Sequence, residues 1–135
     1  MTSRLTLSNR PENLKVLQAF VRSWASERGL SEGRRNILEK ITAEIFERLV
    51  KRAYRPGQPG SIAIVLEDKG PRIRLMFEDD APAYDPWERN TQESVWYPSF
   101  PGQANVKNDR SPPTDSLIFY RTADHKNRLV VFLTL

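Results

Sequence analysis

The chain has 135 residues, no cysteine and a formal net charge of +4. Such a length supports one domain with its own core, and the missing cysteines exclude disulfide frameworks, thiolate zinc sites and cysteine nucleophiles. Residues 1–10 lack a secretory apolar stretch and no run nears the about 20 apolar residues of a spanning helix, so a cytoplasmic protein without membrane contact is expected.

Leu5 and Leu7 alternate with polar neighbours, which predicts a strand over residues 4–8. Ser8 or Asn9 then caps a helix opening at Pro11, a residue favoured in a first turn. Leu14, Leu17, Val21 and Trp24 recur at helical spacing, and Gly29 is a natural stop. A second helix starts near Ser31, carries Ile37, Ile41, Ile45 and Leu49 as its core stripe, and ends near Tyr54 before Pro56, Gly57, Pro59 and Gly60.

The period then changes to two. Ile62, Ile64 and Leu66 line one face of a strand over 61–67, and Ile73, Leu75 and Phe77 line another over 72–78. Lys69, Gly70 and Pro71 form the turn between them. Strands over 117–121 and 128–135 close the chain, the second nearly all apolar from Leu129 to Leu133 and so placed inside the sheet. His125, among Asp124, Lys126 and Asn127, reads as a turn residue, and one histidine cannot build a multi-histidine metal site. The layout predicts an α/β two-layer sandwich over residues 1–135, with two helices on one face of a mostly antiparallel sheet of about five strands. Between them, residues 87–115 lose all periodicity and are rich in Pro, Asn, Ser and Gly, with no long helix expected. Trp87, Trp96, Tyr97 and Phe100 stand in this irregular segment. They either cover apolar sheet surface or, for Trp96, Tyr97 and Phe100, anchor a protein partner.

Two groups of charged residues stand out on the second helix. Glu44 lies four residues before Arg48 and Glu47 four before Lys51, as in ordinary helix ion pairs. Arg48, Lys51, Arg52 and Arg55 follow at spacings of three, four and seven. They read either as cations favoured by the helix C-terminus or as an anion site. Acids and bases are otherwise interleaved and no nucleic-acid motif accompanies this stripe, so nucleic acid is not the expected partner.

The order of elements resembles the bacterial anti-sigma factor serine kinases of the histidine-kinase-like (GHKL) ATPase fold. The residues that carry the resemblance are Ala43-Glu44, then Lys51-Arg52-Ala53-Tyr54, the Pro-Gly-Gln-Pro-Gly run, and Asp79-Asp80-Ala81-Pro82-Ala83-Tyr84-Asp85-Pro86. Asn127-Arg128-Leu129 is similar to the family's closing strands. The resemblance implies that Glu44 occupies the position of a base, that Arg48 stands where an asparagine would coordinate magnesium, and that Asp79 stands where an aspartate reads adenine. It also implies that Ala81 replaces the glycine of Asp-x-Gly, and no Gly-x-Gly phosphate segment is present between residues 87 and 115.

A guanidinium has no lone pair for a metal, and a Cβ at position 81 is expected to hinder close approach or, in left-handed backbone, to strain it. The expectation is therefore a pseudoenzyme: a regulatory module that binds a protein such as a sigma factor or an anti-sigma antagonist, with homodimerisation as a further partner interaction the resemblance implies, and with no cofactor. Two alternatives stand beside it. One is an ATP-dependent protein serine kinase using ATP and magnesium at a divergent site, and the other is a nucleotide or anion sensor.

Overall fold

Strand β1 (Thr2–Ser8) forms one edge of a five-stranded sheet whose order is β1-β2-β3-β5-β4, with β2 at Ser61–Lys69, β3 at Arg72–Asp79, β4 at Thr114–Arg121 and β5 at Asn127–Thr134. The computed structural model describes residues 2–83 and 114–134. Every neighbouring pair of strands is antiparallel. Helices α1 (Leu14–Glu27) and α2 (Glu32–Arg48) are inserted between β1 and β2, and their apolar faces share one core with the sheet.

That core follows from the two periodicities. Leu17, Val21, Trp24 and Ala25 recur along α1 and are buried against Ile62, Ile64 and Leu66 of β2, Ile73, Leu75 and Phe77 of β3, and Leu129, Val131 and Leu133 of β5. β2, β3 and β5 each have a neighbour on both sides, so their other face is also partly sealed: Val65, Met76 and Val130 form a small cluster there, with Phe132 packed on it. The apolar run of β5 does lie inside the sheet.

On α2 the buried positions are Leu38, Ile41, Thr42, Ile45 and Phe46, and Ile37 of the expected stripe is 36% exposed. The reason is angular. Steps of four advance about 40° beyond a full turn, so a stripe read as 37, 41, 45, 49 winds around the helix. Leu38 and Leu49 are separated by only about 20° and share the core face. Leu14 is partly buried, at the margin of the same core.

Helix starts and stops also differ from expectation in physical detail. Residues Pro11–Asn13 form a 3₁₀ turn ahead of α1, and no side chain caps either start. Asn9 is used elsewhere. Its Nδ2 donates to the Gln58 carbonyl at 2.8 Å, and its Oδ1 accepts from the Gly60 amide at 2.8 Å, tying the chain after β1 to the chain before β2. Ser8 accepts from Asn13 Nδ2 through its carbonyl and its Oγ. The end of α1 is as expected. Gly29 adopts φ 71°, its amide donates to Ser26 and the Leu30 amide donates to Ala25, which is a Schellman closure. Ser31 then caps α2 through Oγ, 3.3 Å from the Arg34 amide.

β4 begins at Thr114, so the expected irregular segment gives way to strand before residue 115. The remainder of that segment, with Trp87, Trp96, Tyr97 and Phe100, lies outside the described residues. His125, at φ 65°, sits in the turn between β4 and β5. Among the described residues no helix is long and apolar enough to cross a membrane.

Candidate functional site

The last turn of α2 passes into a π-helical turn over Leu49–Ala53, a winding often found at functional sites. Glu44, Glu47, Arg48, Lys51 and Arg52 line an open cleft of about 240 Å³ at this point. The three cations thus face two carboxylates. Burial pushes the Glu44 carboxyl above its ordinary range, although Lys40 and Arg48 pull it down. Arg55 does not join them. The helical winding ends at Ala53, Tyr54 is extended (φ −111°, ψ 151°), and the Arg55 amide donates to Gln58 Oε1 in the following turn. The expected four-residue cationic stripe is therefore three residues long, because the chain leaves the helix before residue 55.

Tyr54 links this helix end to the end of β3. Its ring is buried, and its hydroxyl lies 2.8 Å from Asp80 Oδ1 and 3.1 Å from the Ser61 carbonyl. The Ser61 amide donates to the same Asp80 oxygen at 2.9 Å. Burial, followed by the nearby Asp80 and Asp79, holds the Tyr54 phenol protonated well above its ordinary range. The backbone must come close here. A Cβ on Gly60 would lie 2.0 Å from Tyr54 Cε1, which explains the glycine.

Asp79, the last residue of β3, is buried together with Asn127, the first of β5, and the two are directly paired in the sheet. Asp79 Oδ1 accepts from Asn127 Nδ2 at 2.8 Å and from the Ala81 amide at 3.0 Å. Asn127 Nδ2 also faces the carbonyls of Ala81 and Pro82 at 3.1 and 3.3 Å, and its Oδ1 accepts from Arg121 at 2.8 Å. Ala81 is itself buried, and its backbone is not left-handed. The strain expected from replacing glycine there does not arise. The methyl group packs into the core instead.

A helix pair, a loop pinned to the strand end by Tyr54 and Asp80, and a buried aspartate closing β3 stand in the order of a known family. Residues 7–111 match the family described as histidine kinase-like ATPase domain. The chain belongs to that family. A search of the curated proteins gave no match.

Within this histidine kinase-like ATPase domain the expected site residues fall into two groups. Glu44, Arg48, Lys51 and Arg52 share the cleft, while Asp79 and Ala81 belong to the hydrogen-bonded knot with Asn127. Tyr54 and Asp80 connect the helix end with the strand end. The expected partner-binding residues Trp96, Tyr97 and Phe100 lie outside the described residues. Sequence reasoning missed Asn127 as a site residue, because an asparagine beside a turn reads as turn chemistry until the register sets it opposite Asp79. The roles of Tyr54 and Asp80 were also missed. Both stood within the runs that carry the family resemblance, but nothing in their spacing marked them as partners of each other.

The groups on the cleft do not suit a magnesium ion. Magnesium asks for oxygen donors in a near-octahedral set, usually one or two carboxylates with water and phosphate. Glu44 and Glu47 are carboxylates of that kind, but Arg48, Lys51 and Arg52 beside them only donate and leave the lining with an excess of positive charge, which repels a divalent cation.

Proposed function

We propose that this histidine kinase-like ATPase domain is a regulatory protein-binding module of the anti-sigma factor type, acting without magnesium-dependent phosphoryl transfer. The observation that carries this reading is Arg48 on the cleft at the end of α2. In the family resembled, an asparagine four residues after the glutamate holds the metal. A guanidinium at that position repels the metal and cannot ligate it. Phosphoryl transfer depends on positioning and charge neutralisation together, so loss of the metal position removes the reaction and leaves the fold intact. The partner class this reading implies is a sigma factor or an antagonist of an anti-sigma factor.

The cleft also supports a second reading, binding of an anion without catalysis. Arg48, Lys51 and Arg52 lie together at a helix C-terminal end, where a direct charge-assisted contact to phosphate replaces the metal bridge. The test is incubation of the protein with radiolabelled ATP, magnesium and candidate anti-sigma antagonists carrying a serine. The proposal expects no label transferred to the antagonist. Transfer that Glu44→Gln abolishes would establish the kinase instead.

A further inference from the structure

Strand β1 is an outer strand of the sheet, and among the described residues β2 is its sole neighbour. The Asn9 amide donates to the Gly60 carbonyl at 3.1 Å and continues that ladder. Backbone groups of successive strand residues point to alternate sides. Leu5 and Leu7 therefore direct theirs to β2, and Thr2, Arg4 and Thr6 direct theirs to the free edge. The Ser8 carbonyl, on the same outer side, is already taken by the Arg10 amide and by Asn13 Nδ2.

Proteins commonly blunt an edge strand with proline, lysine or a bulge. β4, at the other edge, has a register shift between Thr114 and Ser116. β1 contains neither proline nor lysine and pairs with β2 without a break from Thr2 to Ser8. Its polar side chains lean inward over the sheet instead of shielding the edge. Thr2 Oγ1 donates to Glu67 Oε2 of β2 at 3.3 Å, and the Arg4 guanidinium reaches past β2 to Glu78 of β3 at 3.7 Å.

We infer that β1 pairs antiparallel with β1 of a second copy of this chain, joining the two sheets into one across a twofold axis at Leu5. Such a pair must set outward-facing residues against outward-facing residues. A twofold at Arg4 would oppose two guanidinium groups, and Arg4 is the charged residue of this strand. A twofold at Ser3 would leave Thr6 unpaired. A twofold at Leu5 sets Arg4 against the second copy's Thr6, and Thr6 against the second copy's Arg4, each pair exchanging both backbone bonds. The same register lays Leu5 on its own copy and Leu7 beside Ser3, on the face toward the helices, where both leucines are only partly buried. An identical strand thus supplies matching amides and carbonyls, apolar cover and no like charge. One strand pairing buries less than the about 1,200 Å² of a standard stable interface, so the association is weak and concentration-dependent.

Sedimentation velocity of the whole chain, without nucleotide, from micromolar to millimolar concentration reads the association. The parent should pass from monomer to dimer. Thr6→Pro deletes an amide that β2 does not use and blocks the edge. It should weaken association by at least tenfold, with the circular dichroism and melting temperature of dilute protein unchanged. The register is read separately, and that reading decides alone if Thr6→Pro loses the fold. The chain has no cysteine, so Leu5→Cys and Ser3→Cys each place a single thiol. Under oxidised glutathione Leu5→Cys should form a disulfide dimer, because a non-hydrogen-bonded pair sets its Cα atoms about 4.5 Å apart, within disulfide reach. Ser3→Cys, on the same face but opposite Leu7, should not. The inference is overturned if the parent stays monomeric at every concentration, if folded Thr6→Pro associates like the parent, or if Ser3→Cys cross-links as readily as Leu5→Cys. None of these outcomes depends on the cleft at the end of α2, so the proposed function and this dimer fail independently.

Discussion

Asn127 Nδ2 lies 2.8 Å from Asp79 Oδ1, joining the start of β5 to the end of β3 inside the protein. Both residues are fully buried, so the pair has no water to replace it if one member is lost. Asn127→Ala would strip a donor from the Asp79 carboxylate and from the carbonyls of Ala81 and Pro82. The expected loss of stability is about 2–3 kcal/mol, the size of an orphaned buried polar group with a charged partner. The midpoint of urea unfolding measures it. A shift equivalent to less than about 0.5 kcal/mol, the range of an ordinary surface substitution, would show that the knot is not what closes this end of the sheet.

The Tyr54–Asp80 contact yields a pH prediction. The folded pKa of Tyr54 is raised above its ordinary value of 10.0. The folded state then holds its proton more tightly than the unfolded state, so the stabilisation is complete below pH 10 and fades as pH rises beyond it. Parent protein should lose stability above pH 10 faster than Tyr54→Phe, whose side chain does not titrate. Urea unfolding of both proteins at pH 8, 10 and 11 tests this. Parallel curves would mean that the phenol is solvated like a free tyrosine. Gly60→Ala should be destabilising by about 1–3 kcal/mol at every pH, because the added methyl group meets the Tyr54 ring.

Two glycines at the α1–α2 junction should respond in opposite directions to alanine. Gly29 closes α1 at φ 71°, where a Cβ costs about 1–2 kcal/mol. Gly33 is inside the first turn of α2 with open space around it, and alanine there should stabilise the protein by about 0.5–1 kcal/mol. Thermal unfolding of the two variants separates them. A gain for Gly29→Ala would contradict the Schellman closure.

Glu44 decides between a surface ion pair and a half-buried carboxylate under strain. Its pKa is raised from the ordinary 4.5 by burial, against the pull of Lys40 and Arg48. A raised carboxyl contributes stability only while it is protonated, and that contribution disappears as pH rises through the folded pKa. Glu44→Gln should therefore melt at a higher temperature than the parent at pH 7, with the advantage shrinking near pH 4. A lower melting temperature at pH 7 would favour the helix pair with Arg48.

Much of the architecture was legible because two periods dominate the sequence. Leu17, Val21 and Trp24 mark one face of α1, and Ile62, Ile64 and Leu66 mark one face of β2. Both sets lie in the common core. The error at Ile37 came from reading steps of four as a straight line along a helix that turns every 3.6 residues. The site was less legible for a different reason. Glu44, Arg48 and Asp79 were visible as motif positions, whereas Asn127 and Tyr54 acquire meaning only when register and loop path bring them to Asp79 and Asp80. Arg55 was misplaced because a π turn and an extended Tyr54 interrupt the helical spacing that had joined it to Arg48.

Titration calorimetry with ATP tests most directly whether Arg48 excludes magnesium from this domain. The proposal predicts no magnesium-dependent binding at micromolar ATP. Any weak binding should be as strong in EDTA as in magnesium, and it should be lost with Arg48→Gln if the cationic cleft holds the phosphates. Arg48→Asn alone should not create magnesium dependence, because the chain still lacks a Gly-x-Gly phosphate segment between residues 87 and 115. A micromolar dissociation constant that requires magnesium in the parent protein would contradict the account and make this chain a working ATPase-type domain.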